Sequence, residues 1–173
     1  MAAEANTSAT TQLDVDASAL LNGIALIGND GDNILIATDQ ADNVIGGGGD
    51  DVLIGNLGSD TLSGGLGNDL FLFNAIENSA FDTIIDFTRE MDKIVLNSSV
   101  FSQLSAAADF TLLGSQFMPG LQAVTIEQRI IYNPASGELF YDADGLGGAA
   151  QIKIATIGVA THPALTNTDI LLV

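Results

Sequence analysis

Gly28-Asn29-Asp30-Gly31-Asp32-Asn33-Ile34-Leu35-Ile36 opens a run of five nine-residue units that reaches Leu72 without a gap. In register they read GNDGDNILI (28–36), ATDQADNVI (37–45), GGGGDDVLI (46–54), GNLGSDTLS (55–63) and GGLGNDLFL (64–72). The sixth position holds Asn33, Asp42, Asp51, Asp60 and Asp69, and the eighth holds Leu35, Val44, Leu53, Leu62 and Phe71. An apolar residue flanked on both sides makes a very short strand with one side chain turned to a core. The six residues before it form a turn, where glycine permits left-handed backbone and close chain approach. One turn and one strand cover half a coil, so a full coil takes two units, or 18 residues. The fold class expected is therefore all-β: a right-handed parallel β-roll with turns stacked along two edges.

Composition says what those turns hold. Acidic residues outnumber basic ones 22 to 4, for a formal net charge of −18. Nucleic acid and anionic membranes are excluded as partners, because both are negative. Disorder requires low hydrophobicity as well as charge, whereas 47% of this chain is hydrophobic. The chain thus has a core, and bound cations are the simplest reason to hold so many carboxylates together. There is no cysteine and only one histidine, His162, so thiolate and imidazole sites are not expected. Oxygen ligands remain, and calcium accepts irregular oxygen cages more readily than magnesium.

Loops on one edge recur every 18 residues, so 28–33, 46–51 and 64–69 stack together, and 37–42 stacks with 55–60. About three internal sites follow: 28–33 with 46–51, 46–51 with 64–69, and 37–42 with 55–60. The candidate ligands are Gly28, Asn29, Gly31 and Asn33; Thr38, Gln40 and Asp42; Gly46, Gly47, Gly49 and Asp51. The later loops add Gly55, Asn56, Gly58 and Asp60, and then Gly64, Gly65, Gly67 and Asp69. Asn33 lacks the charge of aspartate, and loop 37–42 has no glycine, so the site between 46–51 and 64–69 is expected to be the tightest. A single GGxG run is ordinarily a linker, and a phosphate loop would need a following Lys-Ser/Thr that is missing here. Five units in register set this array apart from both.

The array resembles the G-G-x-G-x-D-x-U-x calcium repeat of RTX proteins. Phe81-Asp82-Thr83-Ile84-Ile85-Asp86-Phe87 and Asp92-Lys93-Ile94 resemble the segments that follow the roll in serralysin-type, type I-secreted members. That resemblance implies a further calcium site at Asn78 (or neighbouring Glu77), Asp82 and Asp92. Thr168-Asp169-Ile170-Leu171-Leu172-Val173 resembles the family's C-terminal secretion signal. It implies the type I secretion machinery as a partner and an extracellular or cell-surface location. The N-terminus has no basic start and no apolar run, so neither a Sec-type signal nor membrane insertion is expected.

Residues 1–12 read as a disordered lead-in, 13–80 as N-terminal cap and roll, and 81–173 as an antiparallel β region with one short helix, packed on the roll and capping it. Odd strands carry apolar outward residues (Ile34/Ile36, Val52/Ile54, Leu70/Leu72), and even strands carry Asn43/Ile45 and Thr61/Ser63. The C-terminal half is expected to cover the odd sheet, leaving the even sheet to solvent. Asn97 should cap a short helix running to Leu104, 129–141 should be a hairpin, and 151–157 a further strand. Asp142-Ala143-Asp144-Gly145 lacks the glutamate of an EF-hand and reads as a turn, and His162 reads as a loop residue.

No HExxH, G-x-S-x-G or other catalytic set is present, so no enzyme is expected. The function expected is a calcium-binding RTX domain that folds on calcium outside the cell. The alternatives are the secretion and folding tail of a larger enzyme upstream, such as a protease, lipase or polysaccharide-modifying enzyme, or an adhesin-type sugar-binding module.

Overall fold

A computed structural model describes residues 10–173 and the backbone of Ala2–Glu4. It is built almost wholly of strands. These are β1 (Ala2–Glu4), β2 (Asp14–Asp16), β3 (Ala25–Ile27), β4 (Ile34–Ile36), β5 (Asn43–Gly48), β6 (Val52–Ile54), β7 (Thr61–Leu66) and β8 (Leu70–Phe73). There follow β9 (Asp82–Ile84), β10 (Lys93–Leu96), β11 (Phe117–Pro119), β12 (Ile130–Asn133), β13 (Glu138–Tyr141), β14 (Ile152–Ile157) and β15 (Ile170–Leu172). One sheet has the order β1-β3-β5-β7-β9-β14-β13-β12-β11, and the other β15-β10-β8-β6-β4-β2.

The coil has the period that the repeat sets. Ile34 pairs with Val52 and Val52 with Leu70, while Asn43 pairs with Thr61, all in parallel. Odd and even units form separate sheets, as expected. Leu35, Val44, Leu53, Leu62 and Phe71 point between the sheets and are buried. Leu26 precedes this stack, and Ile84 and Ile94 continue it beyond the last repeat. Each three-residue strand is too short to stand alone, so the roll is held by this column and by the ladders along its axis.

The C-terminal half departs from expectation. It does not lie over the odd sheet. It lengthens both sheets edge to edge, with β10 and β15 added to the odd sheet, and β9, β14 and the β12–β13 hairpin to the even one. Ile34 stays exposed, and Ile36, Val52, Ile54, Leu70 and Leu72 are half-buried. Cross-strand neighbours such as Ile34, Val52 and Leu70 shield one another, which answers part of the exposure that a covering layer would have answered.

Within the expected lead-in, Ala2–Glu4 is a strand paired with β3, and residues 1 and 5–9 lie outside the described residues. The expected helix after Asn97 is a succession of turns: Asn97 accepts from the Val100 and Phe101 N–H groups, and the chain then leaves through Leu104. The hairpin β12–β13 and strand β14 form where expected. The C-terminal β15 is parallel to β10, with Ile170 and Leu172 buried in the core. Arg89 Nε lies 3.4 Å from Asp169 Oδ2, joining the turn before β10 to the start of β15.

Candidate metal centre

The position-six side chains point inward at the two edges of the roll and stack as two ladders. One runs Asn33, Asp51, Asp69 and on to Asp92. The other runs Asp42, Asp60 and on to Asp82. Every member is buried. Each carboxylate gives one oxygen to the turn before it. Asp51 Oδ1 accepts the Asn33 N–H (2.7 Å), Asp69 Oδ1 the Asp51 N–H (3.0 Å) and Asp92 Oδ1 the Asp69 N–H (3.0 Å). On the other edge Asp42 Oδ1 accepts the Ile24 N–H (2.6 Å), Asp60 Oδ1 the Asp42 N–H (2.8 Å) and Asp82 Oδ1 the Asp60 N–H (3.1 Å).

The second oxygen is the informative one. Oδ2 of Asp51, Asp60 and Asp69 is buried with no hydrogen-bond partner among the described residues, on residues 0%, 2% and 0% exposed. An unsatisfied buried acceptor costs about 1–3 kcal/mol, and more when it is charged. Each orphan sits over the first glycine of its own unit: a Cβ on Gly46 would strike Asp51 Oδ2, one on Gly55 Asp60 Oδ2, and one on Gly64 Asp69 Oδ2. In these three loops positions two and four have positive φ: Gly47 and Gly49, Asn56 and Gly58, Gly65 and Gly67. That backbone turns successive peptide groups in ways a right-handed or extended turn does not.

Burial raises the pKa values of these acids, and neighbouring carboxylates reinforce it. Asp51 is pushed up to about 7 and Asp69 to about 6, in each case chiefly by desolvation. Asp60 and Asp82 are adjacent and both raised, again first by desolvation, and Asp92 is raised for the same reason. Such a site asks for positive charge. Among the described residues no three His, Cys, Asp or Glu side chains converge as a metal cluster by themselves. A cation would therefore draw most of its ligands from the turn carbonyls, as a hard, oxygen-seeking ion does.

The loops stack in the expected sets: the Gly48 N–H donates to the Asn29 carbonyl (3.0 Å) on one edge, and Asn56 Nδ2 to the Ala37 carbonyl (2.7 Å) on the other. Asn29, Asn33, Thr38 and Asp42 are buried and bonded among themselves. Gln40 is exposed, its N–H bonded to Thr38 Oγ1.

Asp82 and Asp92, expected to share one site, stand on opposite edges. Asp82 follows Asp60 by 22 residues and Asp92 follows Asp69 by 23, so each continues a different ladder. Asn78 is exposed, and its neighbour Glu77 reaches the array instead, its Oε2 accepting the Gly58 N–H at 2.8 Å.

Asp86 escaped the sequence reading. It accepts Ser63 Oγ (2.6 Å) and the N–H groups of Gly64 (3.1 Å) and Gly65 (3.0 Å). Its signal was the second aspartate of D-T-I-I-D, four residues after Asp82. Asp142 Oδ1 accepts the Asp144 and Gly145 N–H groups, which makes the expected turn. His162 Nδ1 lies 3.0 Å from the Ile157 carbonyl.

A comparison with curated proteins finds no match. The family model described as peptidase M10 serralysin C terminal matches residues 19–168, which takes in every strand from β3 to β14 and both ladders. On that match, the chain belongs to the peptidase M10 serralysin C-terminal family.

Proposed function

We propose that this chain is a calcium-binding RTX domain that folds when it meets calcium outside the cell. The observation that carries the reading is the set of three buried, unpartnered carboxylate oxygens of Asp51, Asp60 and Asp69. Loops 46–51, 55–60 and 64–69 would hold the ions, with Asp82 and Asp92 extending the two edges. Bound calcium supplies compensating charge and fills the coordination of oxygens that have no protein donor.

The chain's own residues account for the rest. Carboxylates along each ladder repel one another when the roll closes, and the short strands add little to hold it closed. In calcium-poor surroundings the extended chain is favoured. At about millimolar calcium, binding free energy becomes folding free energy. Because loop 46–51 shares its edge with 64–69, the sites should load cooperatively.

The C-terminal segment 168–173, which contains β15, would serve as the type I export signal. In the folded protein β15 has two side chains in the core, so the secretion machinery would read the segment only on the unfolded chain. Family membership supports a secreted origin and a non-catalytic part, and it favours one further reading: a folding and export tail of a larger secreted enzyme.

Circular dichroism with chelator and with millimolar calcium tests the proposal. A largely unfolded spectrum that turns to β-structure over a narrow calcium range is expected. Identical spectra in the two conditions would overturn it.

A further inference from the structure

The five loops are not built alike, and they divide two against three. In loops 28–33 and 37–42 the position-six side chain closes onto the N–H of position two. Asn33 Oδ1 accepts the Asn29 N–H at 2.8 Å, and Asp42 Oδ2 accepts both the Thr38 N–H and the Thr38 hydroxyl at 2.8 Å. With Ile24 on its other oxygen, Asp42 has both carboxylate oxygens bonded, unlike Asp51, Asp60 and Asp69. Carbonyls are engaged as well. Asn33 Nδ2 donates to Asn29 Oδ1 (3.0 Å) and to the Gly31 carbonyl, and Asn56 Nδ2 donates to the Ala37 carbonyl. No residue of these two loops has positive φ, whereas each of the other three loops has two.

We infer that loops 28–33 and 37–42 carry no calcium and form an ion-independent first coil, with Asn33 and Thr38 donating the hydrogen bonds that a cation would otherwise replace. This deepens the calcium reading above and rests on it. The physical ground is a difference in what binding must displace. At Asp51, Asp60 and Asp69 a cation meets an oxygen with no partner to give up. At Asp42 it must break two hydrogen bonds, and at Asn33 it meets the positive hydrogens of an amide NH2. A buried oxygen that already has its donor gains little from a second partner.

The array is therefore shifted toward the C terminus. Its ions belong to the three later loops and to the turns that end at Asp82 and Asp92. The N-terminal coil is an ion-free end against which they stack in the folded roll.

Native mass spectrometry of the full chain at saturating calcium counts the ions, and hydrogen exchange follows the amides of Asn29 and Thr38. Asn33→Ala keeps the backbone N–H that serves Asp51. It and Asp42→Asn should both retain the wild-type ion count, while Asp51→Asn should lose at least one ion. In the wild type, the Asn29 and Thr38 amides should stay protected when calcium saturates the protein. Loss of an ion from Asn33→Ala, or a Thr38 amide left unprotected in the calcium-saturated protein, overturns the inference. The exchange measurement needs no variant, so it decides the matter even if Asp42→Asn fails to fold. A wild type that binds no calcium at all would instead overturn the calcium reading itself.

Discussion

Asp42 and Asp51 carry the same letter at the same position of the repeat, yet the carboxylate of one accepts three hydrogen bonds and that of the other keeps a bare oxygen. The repeat announced which residues face inward, because position six is fixed by the period. It did not announce which oxygens are already bonded. Thr38 and Asn29 could as well be ligands as donors, and only the loop backbone distinguishes the two roles. For a related reason the sequence does not show that Asp82 and Asp92 continue different ladders: turns lengthened by four and five residues beyond the 18-residue period hide it. The cradle itself gives a residue-scale prediction. In Gly46→Ala the new Cβ falls on Asp51 Oδ2 and lies 2.6 Å from the Gly64 carbonyl. The calcium concentration at half-folding should rise by about tenfold or more, equivalent to ~1.4 kcal/mol, in a titration followed by circular dichroism. An unchanged midpoint would separate that glycine from ion binding.

Strands of three residues depend on their neighbours, so elements here are best judged by what they join. The period-nine pattern made the odd and even sheets legible, and turn chemistry made the hairpin at Asn133–Glu138 legible. The attachment of the C-terminal half was not. Apolar outward residues such as Val52 and Ile54 suggested a covering layer, but neighbouring side chains on the same sheet face meet part of that need. The strands instead continue both sheets, a solution that depends on backbone edges, which leave no mark in the side-chain pattern. β15 closes one such edge. Its parallel pairing to β10 is extended by the Val173 N–H to the Leu96 carbonyl (3.1 Å) and by the Ser98 N–H to the Val173 carbonyl (2.7 Å). A chain ending at Thr168 loses these and removes Ile170 and Leu172 from the core, at about 1.5–3 kcal/mol for each side chain. Its melting temperature in saturating calcium should fall clearly below that of the full chain. Equal melting temperatures would mean that β15 is not part of the cooperative unit.

A molecule with 22 acidic and 4 basic residues answers to protons as well as to metal ions. Asp51 and Asp69 have folded-state pKa values of about 7 and 6, above the ordinary carboxylate value of about 3.9. Protonation therefore favours the folded state. The sign is that of a raised acid: the contribution is fully present below about pH 4 and is lost as pH rises through 6 to 7. With chelator present, lowering the pH from about 8 to about 4.5 should increase β-structure, protons standing in part for calcium. A circular dichroism signal that stays flat over this range would count against the raised acidities. The ladders also have a sense of direction. Asp92 supports the backbone of Asp69, Asp69 that of Asp51, and Asp51 that of Asn33; each turn is secured by a residue that comes later in the chain. A ribosome makes these turns in the opposite order. Every coil therefore leaves the ribosome before its own support exists, and the roll has no early foothold from which to close while synthesis is still under way.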